Sequence, residues 1–190
     1  MGEVTNNIHS LYVQTSFGNP SRLLDLYNGK TYTIYEKGLS AFFTQRRPHV
    51  VKDDKVDELN QLIPFWQLYL YTKAMGNEDF YKDLYELVRT RPDKATPGES
   101  QLEFTVLACE AAQLDLTKFF TRWGFFEPVD IIKNDYGEKQ FVVTEEMVDD
   151  TQKRIAAFGF SQPTKVVEYI TDVNIDCYTC NSGIIKGTAQ

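Results

Sequence analysis

Between Val56 and Lys73 the side chains of Val56, Leu59, Leu62, Ile63, Trp66, Leu70 and Lys73 fall near a 3.6-residue period, with Pro64 among them. That period is the signature of a helix with an apolar face, and a face this rich in large residues must be buried against other elements. Proline lacks a backbone donor, so the helix is expected either to kink at Pro64 or to start near Gln61. The chain therefore has to fold as helices packed on helices.

Other segments extend this pattern. Val4–Val13 mixes apolar and polar positions and reads as a helix. After the break at Asn19-Pro20, Ser21 is a candidate cap for a short helix through Arg22, Leu23, Leu24 and Leu26 that Asn28-Gly29 would end. Thr31–Leu39 is Tyr-rich and ambiguous, and Arg46-Arg47-Pro48-His49 is loop-like. Gly76-Asn77 ends the long helix, and Asn77 is placed to cap the next, whose stripe is Phe80, Leu84, Leu87 and Val88. Ser100 and Glu103 have the spacing of a capping box ahead of Phe104, Leu107, Ala108, Ala111 and Ala112. Asp115 caps a segment holding Leu116, Phe119, Phe120 and Trp123, with Gly124 as its C′ residue. Val129–Ile132 and Gln140–Val143 flank Asn134-Asp135-Tyr136-Gly137, which reads as a hairpin. Thr144 opens a helix that Gly159 ends, and Thr164–Ile170 reads as a short helix. The expected fold class is mainly α, a helical bundle-like subdomain with a small β-hairpin.

At 190 residues the chain is long enough for one domain with its own core, without disulfides or metal. Twenty basic against 27 acidic residues give a net charge of −7, which disfavours nucleic acid as a partner. No stretch approaches the roughly 18 apolar residues of a membrane span. The first residues carry no signal peptide.

Catalytic motifs are missing from the sequence itself. The only histidines, His9 and His49, are forty residues apart and neither is followed by Glu, so no H-E-x-x-H zinc helix is present. Cys177-Tyr178-Thr179-Cys180 has C-x-x-C spacing but no second pair, and reads as a disulfide or two free thiols in a tail. Cys109 lies on an apolar helix face. There is no G-x-S-x-G motif and no P-loop.

Three segments nevertheless carry a family likeness: Glu3-Val4-Thr5-Asn6-Asn7-Ile8, Leu62-Ile63-Pro64-Phe65-Trp66-Gln67-Leu68-Tyr69, and Asp115-Leu116-Thr117-Lys118-Phe119-Phe120-Thr121-Arg122-Trp123-Gly124-Phe125-Phe126. Asn77–Tyr85 fits between the last two. Together they resemble the downstream part of the M60-like, or enhancin-like, zinc metallopeptidase domain over about residues 3–170. The order of large residues makes the second and third segments specific, and Trp66, Phe119, Phe120 and Trp123 are expected to pack together.

The resemblance implies a gluzincin-like site: H-E-x-x-H on one helix and a Glu from a following helix. Carried over by motif, Glu3 is the third zinc ligand, while both His ligands and the general base would lie upstream of this sequence. It follows that zinc belongs to the full-length domain, that none is expected in this chain alone, and that the isolated chain is inactive. Residues 1–170 then form the C-terminal helical subdomain, and residues 171–190 a tail or the start of a following segment. The implied substrate is a mucin or another O-glycosylated protein, held between this lobe and the missing N-terminal zinc-binding lobe. The implied location is secreted or at the cell surface of host-associated microbes. The competing expectation is a non-catalytic helical module that binds a glycoprotein or a partner protein. The first reading predicts an exposed apolar patch where the missing lobe docks; the second predicts a well-covered monomer.

Overall fold

The helix expected around Pro64 forms the centre of the molecule. The computed structural model describes residues 2–134 and 137–179, with side chains from residue 6 onward. Helix α1 spans Gly2–Ser16, α2 Ile34–Phe43, α3 Glu58–Ala74, α4 Phe80–Thr90, α5 Pro97–Ala112, α6 Thr117–Arg122, α7 Glu145–Ala156 and α8 Asp176–Thr179. Strands β1, Val129–Asn134, and β2, Glu138–Val143, pair antiparallel with Val129 opposite Val143. The fold is mainly α with one hairpin, as expected. Around α3 pack α1, α2, α4, α8 and the 3₁₀ turn Val167–Tyr169; α5 connects α4 to α7 and β2.

Helix α3 does not start near Gln61 but three residues earlier, at Glu58, and runs through Pro64 to Ala74. It begins after Asp57, whose side chain accepts from the Asn60 N–H while Asn60 bonds back to the Asp57 N–H. Every residue from Asn60 to Leu68 is buried, Pro64 included. Burial on all sides outweighs the roughly 3 kcal/mol that an interior proline costs a helix.

Several helix starts differ from the sequence reading, each for a local reason. Ser21 does not cap; its hydroxyl is drawn to Asp172, and only a 3₁₀ turn, Arg22–Leu24, follows. The ambiguous segment becomes α2 through a Thr33/Glu36 capping box. Asn77 leaves the start of α4 and donates to the Ala111 carbonyl. The capping box of α5 is Thr96/Glu99, four residues before the expected pair, because Pro97 fits the first helical position, where no N–H is needed. Asp115 does bond the Thr117 N–H at the start of α6. The segment expected to be helical from Thr164 holds only the 3₁₀ turn Val167–Tyr169. The expected hairpin turn includes Asp135 and Tyr136, outside the described residues.

The core is aromatic. Trp66, Trp123, Phe120 and Phe125 are fully enclosed, and Phe119 lies beside Phe120 with ring centres 5.3 Å apart. Buried amides on the helices fasten the irregular segments to this core. Gln61 donates to the His49 carbonyl, Gln67 to the Glu168 and Ile170 carbonyls, Gln101 to the Phe125 carbonyl and Asn60 to the Ile34 carbonyl. Gln67 also accepts from the Trp123 indole N–H at 3.1 Å. Loop backbone that enters a core must have its polar groups satisfied there, and these side chains do so.

Candidate functional site

The expected ligand, Glu3, lies in the first turn of α1; its side chain is outside the described region. Asn7, Ser10 and Gln14 follow at helical spacing from Glu3, so the four share one polar stripe. Arg22 lies along that stripe. Its guanidinium donates to Asn7 Oδ1 at 2.6 Å and Ser10 Oγ at 3.3 Å, and its backbone N–H donates to Gln14 Oε1. Among the described residues, Arg22 Nε is buried without a hydrogen-bond partner. The neighbouring Ser21 hydroxyl donates to Asp172 Oδ2, and the same carboxylate accepts from Tyr35 Oη and from Trp66 Nε1 at 3.0 Å. Burial first, then the Asp172 charge, raises the Tyr35 hydroxyl well above its usual range. The segment after residue 170 is thereby tied to α3, and through Ser21-Arg22 to the stripe that bears Glu3.

The opposite face of α1 is apolar. Ile8 and Leu11 are buried, the His9 ring stacks on Tyr85, and Tyr12 sits edge-on to Tyr69. Ile8 also shares a 270 Å³ hollow with Phe65. The Tyr12–Tyr69 and Ile8–Phe65 pairings have the same sequence offset, so α1 and α3 run parallel. The same offset brings the Glu3 backbone level with Asn60, in the first turn of α3. Further along α1, Tyr12 and Val13 are exposed, as is Phe17 just beyond its end.

The other sequence candidates are structural. His49 is enclosed, stacks on Phe125 with ring centres 4.1 Å apart, and donates from Nδ1 to the Trp123 carbonyl at 3.1 Å. Burial lowers its pKa to about 3, so it is neutral. Cys109 is buried, and that burial pushes its thiol up to about 12. Cys177 is exposed and free, whereas Cys180 lies outside the described residues. Of the tyrosines on the helices, Tyr71 is buried, Tyr69 and Tyr81 are half-buried and Tyr85 is exposed. Among the described residues no three His, Cys, Asp or Glu side chains converge as a metal site. These residues do not fit a zinc ion by themselves, so no chemical step through a metal is derived from them.

Residues 1–124 match the sequence profile of the family described as Peptidase M60, enhancin and enhancin-like. The chain belongs to the M60 family. Three solved structures resemble this M60 chain. A metallopeptidase from Bacteroides thetaiotaomicron is 27% identical, with a TM-score of 0.72, over 90% of this chain and 28% of its own. A metallopeptidase in complex with Tn antigen is 26% identical, with a TM-score of 0.70, over 88% of this chain and 30% of its own. The M60 catalytic domain of Clostridium perfringens ZmpC, in complex with the sialyl T antigen, is 26% identical, with a TM-score of 0.58, over 93% of this chain and 29% of its own. This chain thus spans under a third of the length of these structures. A search of curated proteins finds no significant match. No helix among the described residues is long and apolar enough to cross a membrane.

Sequence reasoning singled out Glu3 but not the contacts that Arg22, Ser21 and Asp172 make. The only signal for them was polar spacing on α1, whereas Asp172 reaches its partners across more than a hundred residues.

Proposed function

We propose that this chain is the helical portion of a secreted or cell-surface M60 metallopeptidase that cleaves mucin-type O-glycosylated proteins. Residues 1–170 form the helical subdomain, and the segment that follows them begins packed against it through Asp172 and α8. Glu3 is a zinc ligand of the whole protein, alongside an H-E-x-x-H helix that this chain does not contain. Zinc bound there would supply the Lewis acid for peptide hydrolysis. The observation that carries the reading is the family match over residues 1–124, which includes the Glu3-Val4-Thr5-Asn6-Asn7-Ile8 segment. Two of the similar structures hold O-glycan antigens, which supports a glycoprotein substrate.

In this reading the chain's own residues position rather than react. Arg22 fixes the α1 stripe through Asn7 and Ser10, and Asp172 fixes Ser21 and Trp66. The test is cleavage of a mucin by the whole protein before and after enzymatic removal of its O-glycans. The expected result is cleavage of the glycosylated form alone. Binding of the glycoprotein without cleavage would favour a non-catalytic module.

A further inference from the structure

The structure contains a second groove that the metal-site reading leaves unused. It has a volume of about 620 Å³ and lies between the 26–33 loop, the outer face of α2 and the 54–55 loop. The loop is fixed at its base: Ile34 N–H donates to the Asp25 carbonyl, Leu26 bridges Thr33, and Tyr27 N–H donates to the Tyr32 carbonyl at 2.9 Å. Its tip reverses through Asn28 and Gly29, both in the left-handed region. This brings Tyr27 and Tyr32 together with rings 10° from parallel and centres 6.1 Å apart. Lys37 Nζ lies 3.7 Å from the centre of the Tyr27 ring and pairs with Asp57 at the start of α3. The aromatic pair is therefore held in place before any ligand arrives.

The groove's remaining polar groups are uncommitted. Ser40, Gln45, Asp54 and Lys55 line it, and none of their side chains makes a hydrogen bond or ion pair among the described residues. In the 270 Å³ hollow beside α1, by contrast, Glu103 pairs with Arg154 and Lys94, and Arg91 with Glu110. Aromatic rings offer an electron-rich face to polarised C–H bonds. A hydroxyl, an amide, a carboxylate and an ammonium beside such rings can both donate to and accept from vicinal hydroxyls. That combination is the chemistry of a sugar. The lining charges, Glu36 and Asp54 against Lys37 and Lys55, balance, which favours a neutral sugar over an acidic one.

We propose that the Tyr27/Tyr32 groove is a subsite for a neutral sugar of an O-glycosylated ligand. The Lys37–Asp57 pair places it at the N-terminal end of α3, level with the Glu3 end of α1. This inference rests on the glycoprotein reading above.

The experiment titrates the 190-residue chain, followed by NMR, with three probes. These are a threonine peptide carrying one neutral N-acetylgalactosamine, the same peptide carrying a sialylated glycan, and the bare peptide. Binding of the neutral glycopeptide is expected to shift signals of Ser40, Gln45 and Asp54. Joint Tyr27→Ala and Tyr32→Ala substitution should weaken it about tenfold, while Tyr32→Phe, which keeps the ring, stays within about threefold. Gln45→Ala and Asp54→Ala alter exposed side chains, and each should weaken binding about threefold even if the tyrosine variant does not fold. Equal affinity for the bare peptide, preference for the sialylated form, unchanged affinity in the variants, or no binding would each overturn the subsite. Cleavage of glycosylated mucin by the whole protein is read separately, so the glycoprotein reading survives or fails independently of this groove.

Discussion

The interior around α3 and the rim at the Glu3 end of α1 are built by opposite rules. In the interior, polar side chains are tied to partners that the fold dictates: Gln67 alone joins Trp123 to the Glu168 and Ile170 carbonyls, and His49 is neutral between Phe125 and the Trp123 carbonyl. At the rim, aromatic rings and polar side chains face solvent, with Tyr32 38% exposed. Stability is concentrated where partners are complete, and recognition where they are left open.

The sharpest way to break the contrast is Gly124→Ala. Gly124 has φ +74°, and an added Cβ would meet the Arg47 carbonyl oxygen, a backbone atom. We expect a loss of about 4 kcal/mol or more, read by urea unfolding. Next comes acid. Because His49 titrates near 3 when folded but near 6.5 when unfolded, the unfolded chain binds the extra proton first. Stability is then complete above pH 6.5 and declines by up to about 1.4 kcal/mol per pH unit as pH falls towards 3. His49→Phe should flatten that slope between pH 6.5 and 5, even though the variant begins less stable. Gln67→Leu should cost about 2–3 kcal/mol, by stranding the Trp123 N–H and two carbonyls. On the exposed surface just beyond the far end of α1, Phe17→Ser should change the unfolding free energy by less than about 0.5 kcal/mol. A large loss there would erase the distinction.

The same division decides what was legible in the sequence. Helical periods announced α3 and α5, and Asp115 and Gly124 marked the ends of α6, because these signals are local. Helix starts were misread where an earlier residue capped, as Thr96 did in place of Ser100, or where a distant partner took the cap, as Asp172 took Ser21. Pro64 misled because its cost was weighed without the packing that surrounds it on every side. Of the site, Glu3 was visible only through the family motif. The Tyr27/Tyr32 pair had a faint signal in the Asn28-Gly29 turn between the two tyrosines, whereas Asp54 and Lys55 join them only in three dimensions.

The most direct test of the central claim, that the α1 end of this chain completes a metal site, is the zinc content of the whole purified protein with and without Glu3→Gln. The stability of the 190-residue chain bearing the same substitution serves as the control. The account predicts one zinc per wild-type molecule, a loss of about tenfold or more in zinc affinity for the variant, and an unchanged unfolding midpoint for the chain. Full zinc retention by Glu3→Gln would contradict it.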